Sequence, residues 1–227
     1  MRRLVRITGT LLIVAGIGTL AWAVTVWQWQ DPVTAVVNRM EQRELAQSLE
    51  RSFDRVVPDV EGVAVSAVER RRERARAARA WRTTLGEGDA VARIRVPRLG
   101  LNAVVVNGTD SATLKRGPGR YLGSAMPGQG ELVYIAGHRT TYGAPFARID
   151  RLRKGDRVFL ELPYGTFEYA ITGSRIVAAN ELSVLESKGR EQLALQACHP
   201  RFFASQRYIA YAEPVAVTTP RSVADPT

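Results

Sequence analysis

The sequence predicts an all-β domain, a sandwich or a barrel, standing behind one apolar helix and a charged connector. Three observations carry this. From residue 89 onward, short stretches of alternating apolar and polar residues are cut repeatedly by glycine and proline, the pattern of many short strands joined by turns. Residues 7–27 hold no charged side chain; as a helix rising about 1.5 Å per residue they would span about 30 Å, the thickness of a bilayer core. Between these regions, residues 30–88 show no sustained apolar period and include the run Glu-Arg-Arg-Arg-Glu-Arg-Ala-Arg-Ala-Ala-Arg-Ala-Trp-Arg at 69–82. The expected organisation is a cytoplasmic tail and transmembrane signal-anchor over 1–29, an Arg-rich linker over 30–88, the β domain over 89–218 and a short tail over 219–227.

Composition sets outer limits. With 45% hydrophobic and 24% charged residues the chain lies in the globular range, which excludes disorder throughout. The net charge is +10 and 29 of the 32 basic residues are arginine, so an acidic partner is expected. A single cysteine excludes an internal disulfide.

At the N-terminus Arg2, Arg3 and Arg6 precede the apolar run, and Trp22, Trp27 and Trp29 gather at its far end. That asymmetry places the N-terminus in the cytoplasm and the main domain outside the membrane. Ala21-Trp22-Ala23 has the form of a signal-peptidase site, but the apolar run continues through Val24 and Val26, which favours an uncleaved anchor in contact with membrane lipid. In the connector, seven arginines against two glutamates give 69–82 a charge of +5. Glu69 with Arg72 and Glu73 with Arg76 sit at i,i+3 spacing among good helix formers, so a solvated helix is expected. Trp81 is the only aromatic residue there. No nucleic-acid partner is therefore expected; lipid headgroups or an anionic wall polymer suit the charge better.

The β domain is read strand by strand. Segments 90–96 and 101–106 are expected to be strands around Pro97-Arg98-Leu99-Gly100, 110–114 a helical turn, and 117–130 a loop region punctuated by glycine and proline. A continuous apolar strand follows at 132–136, ending at Gly137-His138; 145–152 is expected to be a short helix, and 157–162 with 166–176 a hairpin around Pro163-Tyr164-Gly165. Residues 193–197 alternate into Cys198, and 207–217 closes a domain of about seven or eight strands. Along that strand Cys198 shares the parity of Ala194 and Gln196, away from Leu193 and Leu195.

A lone cysteine is ordinarily a small buried hydrophobe. Here it ends one predicted strand, His138 ends another and Arg207 opens a third. A free thiol of pKa about 8.5 is only a few per cent thiolate at neutral pH, so a cysteine nucleophile needs a proton-handling partner. Acyl transfer also needs a donor aimed at the developing oxyanion, and arginine supplies charge-assisted bonds. His199 competes with His138 for the first role, but neighbouring strand residues point to opposite faces, so it is poorly placed to serve Cys198. Arg201 competes with Arg207, but it falls in the Pro200-Arg201-Phe202-Phe203 loop, whereas Arg207 enters a strand expected beside that of Cys198. Two histidines and one cysteine form no zinc spacing.

Three segments, Ala136-Gly137-His138-Arg139-Thr140-Thr141-Tyr142-Gly143-Ala144-Pro145-Phe146, Leu195-Gln196-Ala197-Cys198-His199-Pro200-Arg201-Phe202 and Ser205-Gln206-Arg207-Tyr208-Ile209, resemble the sortases, most closely the class E, housekeeping-type enzymes of Gram-positive actinobacteria. The resemblance covers roughly 88–217. It implies a closed eight-stranded β-barrel behind a single-pass membrane anchor, and a cysteine transpeptidase with its domain outside the cell. It further implies cleavage of surface proteins between Thr and Gly of a C-terminal Leu-Pro-x-Thr-Gly or Leu-Ala-x-Thr-Gly motif through a thioacyl intermediate, and transfer to a peptidoglycan-precursor amine. On this resemblance Cys198 is the nucleophile, His138 the acid that protonates the leaving amine and Arg207 the oxyanion and substrate stabiliser. No cofactor or metal is implied, and no substrate-binding residue is singled out. Ala194-Leu195-Gln196-Ala197 departs from the family's usual Thr-Leu-x-Thr, removing two hydroxyls. A pilin-polymerising or sporulation-type sortase, a cysteine hydrolase and a non-catalytic, membrane-anchored wall-binding barrel are the alternatives.

Overall fold

The structure, a computed structural model, describes residues 2–29, 32–54 and 66–218. Three helices come first: α1 (Arg2–Trp29), α2 (Pro32–Phe53) and α3 (Ala67–Thr84). The strands follow as β1 (Ala90–Val96), β2 (Leu101–Asn107), β3 (Gly119–Arg120), β4 (Leu132–Ala136), β5 (Arg157–Leu162), β6 (Gly165–Ala178), β7 (Gln192–His199) and β8 (Gln206–Thr218), with the short helix α4 (Ser111–Arg116) between β2 and β3. They close into a barrel in the order β1-β2-β3-β4-β7-β8-β6-β5. Pairing is antiparallel except at β2/β3 and β4/β7.

Alternation along the strands fills the barrel. Ile94, Val96, Val133, Ile135, Leu160, Leu162, Phe167, Leu193, Leu195 and Ala210 meet in one interior cluster. The residues between them on β4, β7 and β8 form a second buried cluster on the outer wall, with Leu132, Tyr134, Val177, Val184, Ala194 and Ile209. Burying apolar surface at about 25 cal/mol per Å² makes the interior set the main source of stability.

Two segments differ from expectation. Residues 145–152 form turns and a 3-10 helix (Ile149–Arg151) rather than an α-helix. Phe146, Ile149 and Leu152 are all buried; each lies three residues from the next, the period of the tighter winding. Within the expected loop, β3 forms because Gly119 lets β2 approach: a Cβ there would collide with the Gly108 carbonyl.

The connector also carries more structure than its periodicity implies. In α3, capped by a reciprocal Ser66–Glu69 box, the arginines face outward, but Ala78 is fully buried in the barrel cluster. Trp81 donates from its indole nitrogen to the Val91 carbonyl at 3.1 Å. Helix α2 buries Leu45 and Leu49 against Ala90, Val104 and Val106. Gln42 joins the same contact, donating to the carbonyls of Val104 (3.1 Å) and Arg116 (2.8 Å) and accepting from the Val104 amide (2.7 Å). In α1, the apolar side chains described are exposed on every side, and the helix is long and apolar enough to cross a membrane.

Candidate active site

Strands β4 and β7 run parallel with Ala136 beside Gln196, and the Gly137 amide donates to the Gln196 carbonyl at 2.9 Å. Two residues further along stand His138 and Cys198. On the other side of β7, Cys198 lies directly across the antiparallel ladder from Arg207 of β8. Cys198 and Arg207 thus face each other across β7 and β8, and His138 follows two residues past the end of β4, at the same end of the barrel. Leu193, Leu195 and Ala197 point into the core, whereas Ala194 belongs to the outer-wall cluster. The same alternation puts Cys198 on the outer wall, with Arg207 in the parity of Ile209.

The Cys198 thiol is free and half-buried. The His138 ring lies 5.1 Å, centroid to centroid, from that of Tyr142, and Lys115 places its ammonium 5.7 Å from the far member of this pair. His138 Nε2 is buried with no hydrogen-bond partner among the described residues. Burial, with a smaller push from the Lys115 charge, lowers the imidazole below its ordinary value and favours the neutral ring. A neutral imidazole with an uncommitted nitrogen can take a thiol proton and pass it on.

The loop bearing His138 is strained and braced. Tyr142 and Ala144 have φ of 52° and 40°, a region that costs a non-glycine residue of order 1–3 kcal/mol. The Tyr142 amide donates to Thr34 Oγ1 of α2 at 3.0 Å, and Asn38 of α2 donates to the Lys115 carbonyl at 2.9 Å. Helix α2 therefore supports the histidine end of the site.

Arg207 donates from Nη1 to the carbonyls of Ala204 (2.8 Å) and Gln206 (2.9 Å), which anchors the guanidinium at the foot of the 200–205 loop. Arg201 lies in that loop, between β7 and β8, with its guanidinium carbon 5.7 Å from the Phe202 ring centroid. His199 turns away from Cys198, toward Arg139 (2.9 Å) and the Tyr208 ring. Beneath the thiol on the outer wall, Tyr134 donates to the Gln196 side-chain carbonyl at 2.6 Å and meets Tyr121 edge-on. Val177, Val184 and Ile209 complete an apolar floor, and Phe203 stands almost fully exposed in the loop beside it.

Sequence reasoning did not single out Tyr142, Arg139, Thr34 or this floor. Arg139 had a signal available, a charged residue between an apolar strand and a turn next to His138. The floor had none, because its members come from six separated segments.

A closed barrel carrying thiol, imidazole and guanidinium at one end has the groups that thiol-based acyl transfer requires. Residues 94–215 match the sortase domain family. The chain is 33% identical over 132 residues to Sortase D of Bacillus subtilis (strain 168), covering 56% of this chain and 65% of that protein. Sortase E from Streptomyces avermitilis superposes with a TM-score of 0.55 at 33% identity, over 60% of this chain and 93% of that one. Sortase E1 from Streptomyces coelicolor, solved with a tripeptide in its active site, gives a TM-score of 0.56 at 27% identity, over 61% of this chain and 95% of that one. The chain belongs to the sortase family. It spans less than two thirds of the length of the curated relatives it matches, 65% at most.

Proposed function

We propose that this chain is a membrane-anchored cysteine transpeptidase of the class E type, cleaving a C-terminal Leu-Ala-x-Thr-Gly or Leu-Pro-x-Thr-Gly motif of surface proteins between Thr and Gly and transferring the product to a cell-wall precursor amine. The observation that supports this reading is the pairing of Cys198 with Arg207 across β7 and β8, beside the end of β4 from which the chain leads two residues on to His138. Attack of Cys198 Sγ on the threonine carbonyl carbon sends the thiol proton to His138 Nε2. The oxyanion that forms is met by the Arg207 edge not bonded to Ala204 and Gln206. As the C–N bond breaks, His138 returns its proton to the leaving glycine amine, leaving a thioester on Cys198. The acceptor amine then attacks the thioester, loses a proton to His138 and releases the thiol. With no amine present, water takes its place and the outcome is hydrolysis.

Membrane attachment through α1, with the N-terminus inside and the barrel outside, is supported by an apolar helix exposed on all sides and by Arg2, Arg3 and Arg6 before it. Of the two alanines that depart from the class pattern, Ala197 points into the core, away from Cys198, and Ala194 shares the face of Cys198 four residues back, in the outer-wall cluster.

The test uses the full chain in detergent with a Leu-Ala-x-Thr-Gly peptide, a Leu-Pro-x-Thr-Gly peptide and an oligoglycine amine. The expected result is ligated product and a Cys198–acyl adduct by mass spectrometry, both lost in Cys198→Ala. Absence of cleavage with both peptides would refute the proposal.

A further inference from the structure

Arg139 follows His138 directly and is 4% exposed. Its Nη1 lies 3.2 Å from the carbonyl oxygen of Cys198 and 2.9 Å from Nδ1 of His199. Its Nη2 pairs with Asp150 at 3.0 Å, a carboxylate whose side chain is half exposed, while Nε is buried with no partner among the described residues. A guanidinium buried this way is an inefficient stabiliser, because desolvation offsets the ion pair and one donor is left unpaired. What it fixes is more specific. The last β4/β7 ladder bond is Gly137 to Gln196, and the next tie described between the two chain ends is the Arg139 side chain itself.

We infer that Arg139 is a positioning residue: it clamps the Cys198–His199 end of β7 to the His138 segment, and so sets the distance between imidazole and thiol once the backbone ladder has stopped. The inference rests on the proposed roles of Cys198 and His138. It has a second consequence that does not depend on them. A guanidinium only donates, so Nδ1 of His199 accepts and the ring carries its proton on Nε2. The clamp therefore fixes the tautomer of the histidine beside the nucleophile, and Asp150 neutralises the buried cation from the other side.

Three measurements on the full chain in detergent test this. Arg139→Met keeps the side-chain length and removes the charge; it should keep its thermal midpoint within a few degrees of wild type while kcat for peptide cleavage falls about 10- to 100-fold, the usual result of loosening a supporting contact. KM should move less than about threefold, and Arg139→Lys, which can restore one donor, should recover part of the loss. In the wild type, 15N-resolved spectra should show His199 as the Nε2–H tautomer, a preference lost in Arg139→Met. A folded Arg139→Met with unchanged kcat overturns the inference, as does a wild-type His199 protonated on Nδ1. If Arg139→Met does not fold, Arg139→Lys and the wild-type tautomer decide. Loss of activity in Cys198→Ala tests the underlying reading separately, and a wild type inactive on every peptide would sink that reading while leaving the tautomer to be measured.

Discussion

Replacing Leu49 by alanine should destabilise the chain by about 3 kcal/mol, within the range of about 2–5 found for buried leucine truncations. Leu49 is fully buried, on a helix whose only other buried side chain among the described residues is Leu45. Its partners Ala90, Val104 and Val106 belong to β1 and β2, which are fixed in the barrel and cannot close the gap, while α2 itself can shift inward and recover part of the loss. That places the value in the lower half of the range. For a folded part of this size it corresponds to a fall in melting temperature of roughly 6–12 °C. Thermal melts and urea titrations of the two proteins would measure it. Because Thr34 and Asn38 on α2 brace the loop of His138 and the end of α4, the variant should also lose peptide-cleaving activity before it unfolds. A shift under about 1 kcal/mol would mean that α2 does not dock on the barrel, and that its bonds to the histidine loop do not support the site.

Two further outcomes follow from the site. Burial holds His138 below its ordinary 6.5, so between the folded value and 6.5 the unfolded chain binds more protons. Stability therefore falls as pH drops through that window and levels off below it. His138→Gln should remove this component, so that urea midpoints at about pH 7.5 and pH 5 differ less in the variant than in wild type; an unchanged difference refutes the burial argument. Arg207→Ala should lower kcat/KM about 100- to 1,000-fold, as removal of an oxyanion donor does. A loss under threefold, measured on the same peptides, would exclude Arg207 from that role.

Most of the barrel was legible because its strands alternate or run continuously apolar between glycine and proline turns: the segments expected at 90–96, 132–136 and 157–162 coincide with β1, β4 and β5. The parity of Cys198 with Ala194 and Gln196 was also enough to separate it from the interior leucines. Helix α2 escaped notice because a period of 3.6 is read from apolar residues, and its contact rests on two buried leucines, Leu45 and Leu49, with half-buried Ala46 and Phe53 and the polar Gln42 inserted between β2 and α4. Val36, Val37 and Met40 are exposed, which blurs the pattern further. In α3 the signal was hidden in the opposite sense: small Ala78 is buried amid seven arginines between 69 and 82. Arg139 shows a third kind of loss. Its partners, Asp150 and residues 198–199, lie 11 and about 60 positions away, and only the folded topology reveals that they meet.

The distance of 60 residues between His138 and Cys198 has a structural cause. Parallel neighbours cannot be joined by a tight turn, so the chain must cross over before β7 can lie beside β4. Here the crossover is the stretch containing β5 and β6, which closes the opposite side of the barrel. Its result is that two strands end together at the same rim. The antiparallel return from β7 to β8 needs only a short loop, which is why Arg207 follows Cys198 by nine residues. Ladder bonds fix each strand up to the rim but not beyond it, and His138 lies beyond it. The side chains that hold this last step are Arg139, reaching across to β7, and Thr34, reaching in from α2. The placement of His138 beside the end of β7 is therefore governed by contacts outside the sheet, and if the proposed roles hold, substitutions there should affect rate more than stability.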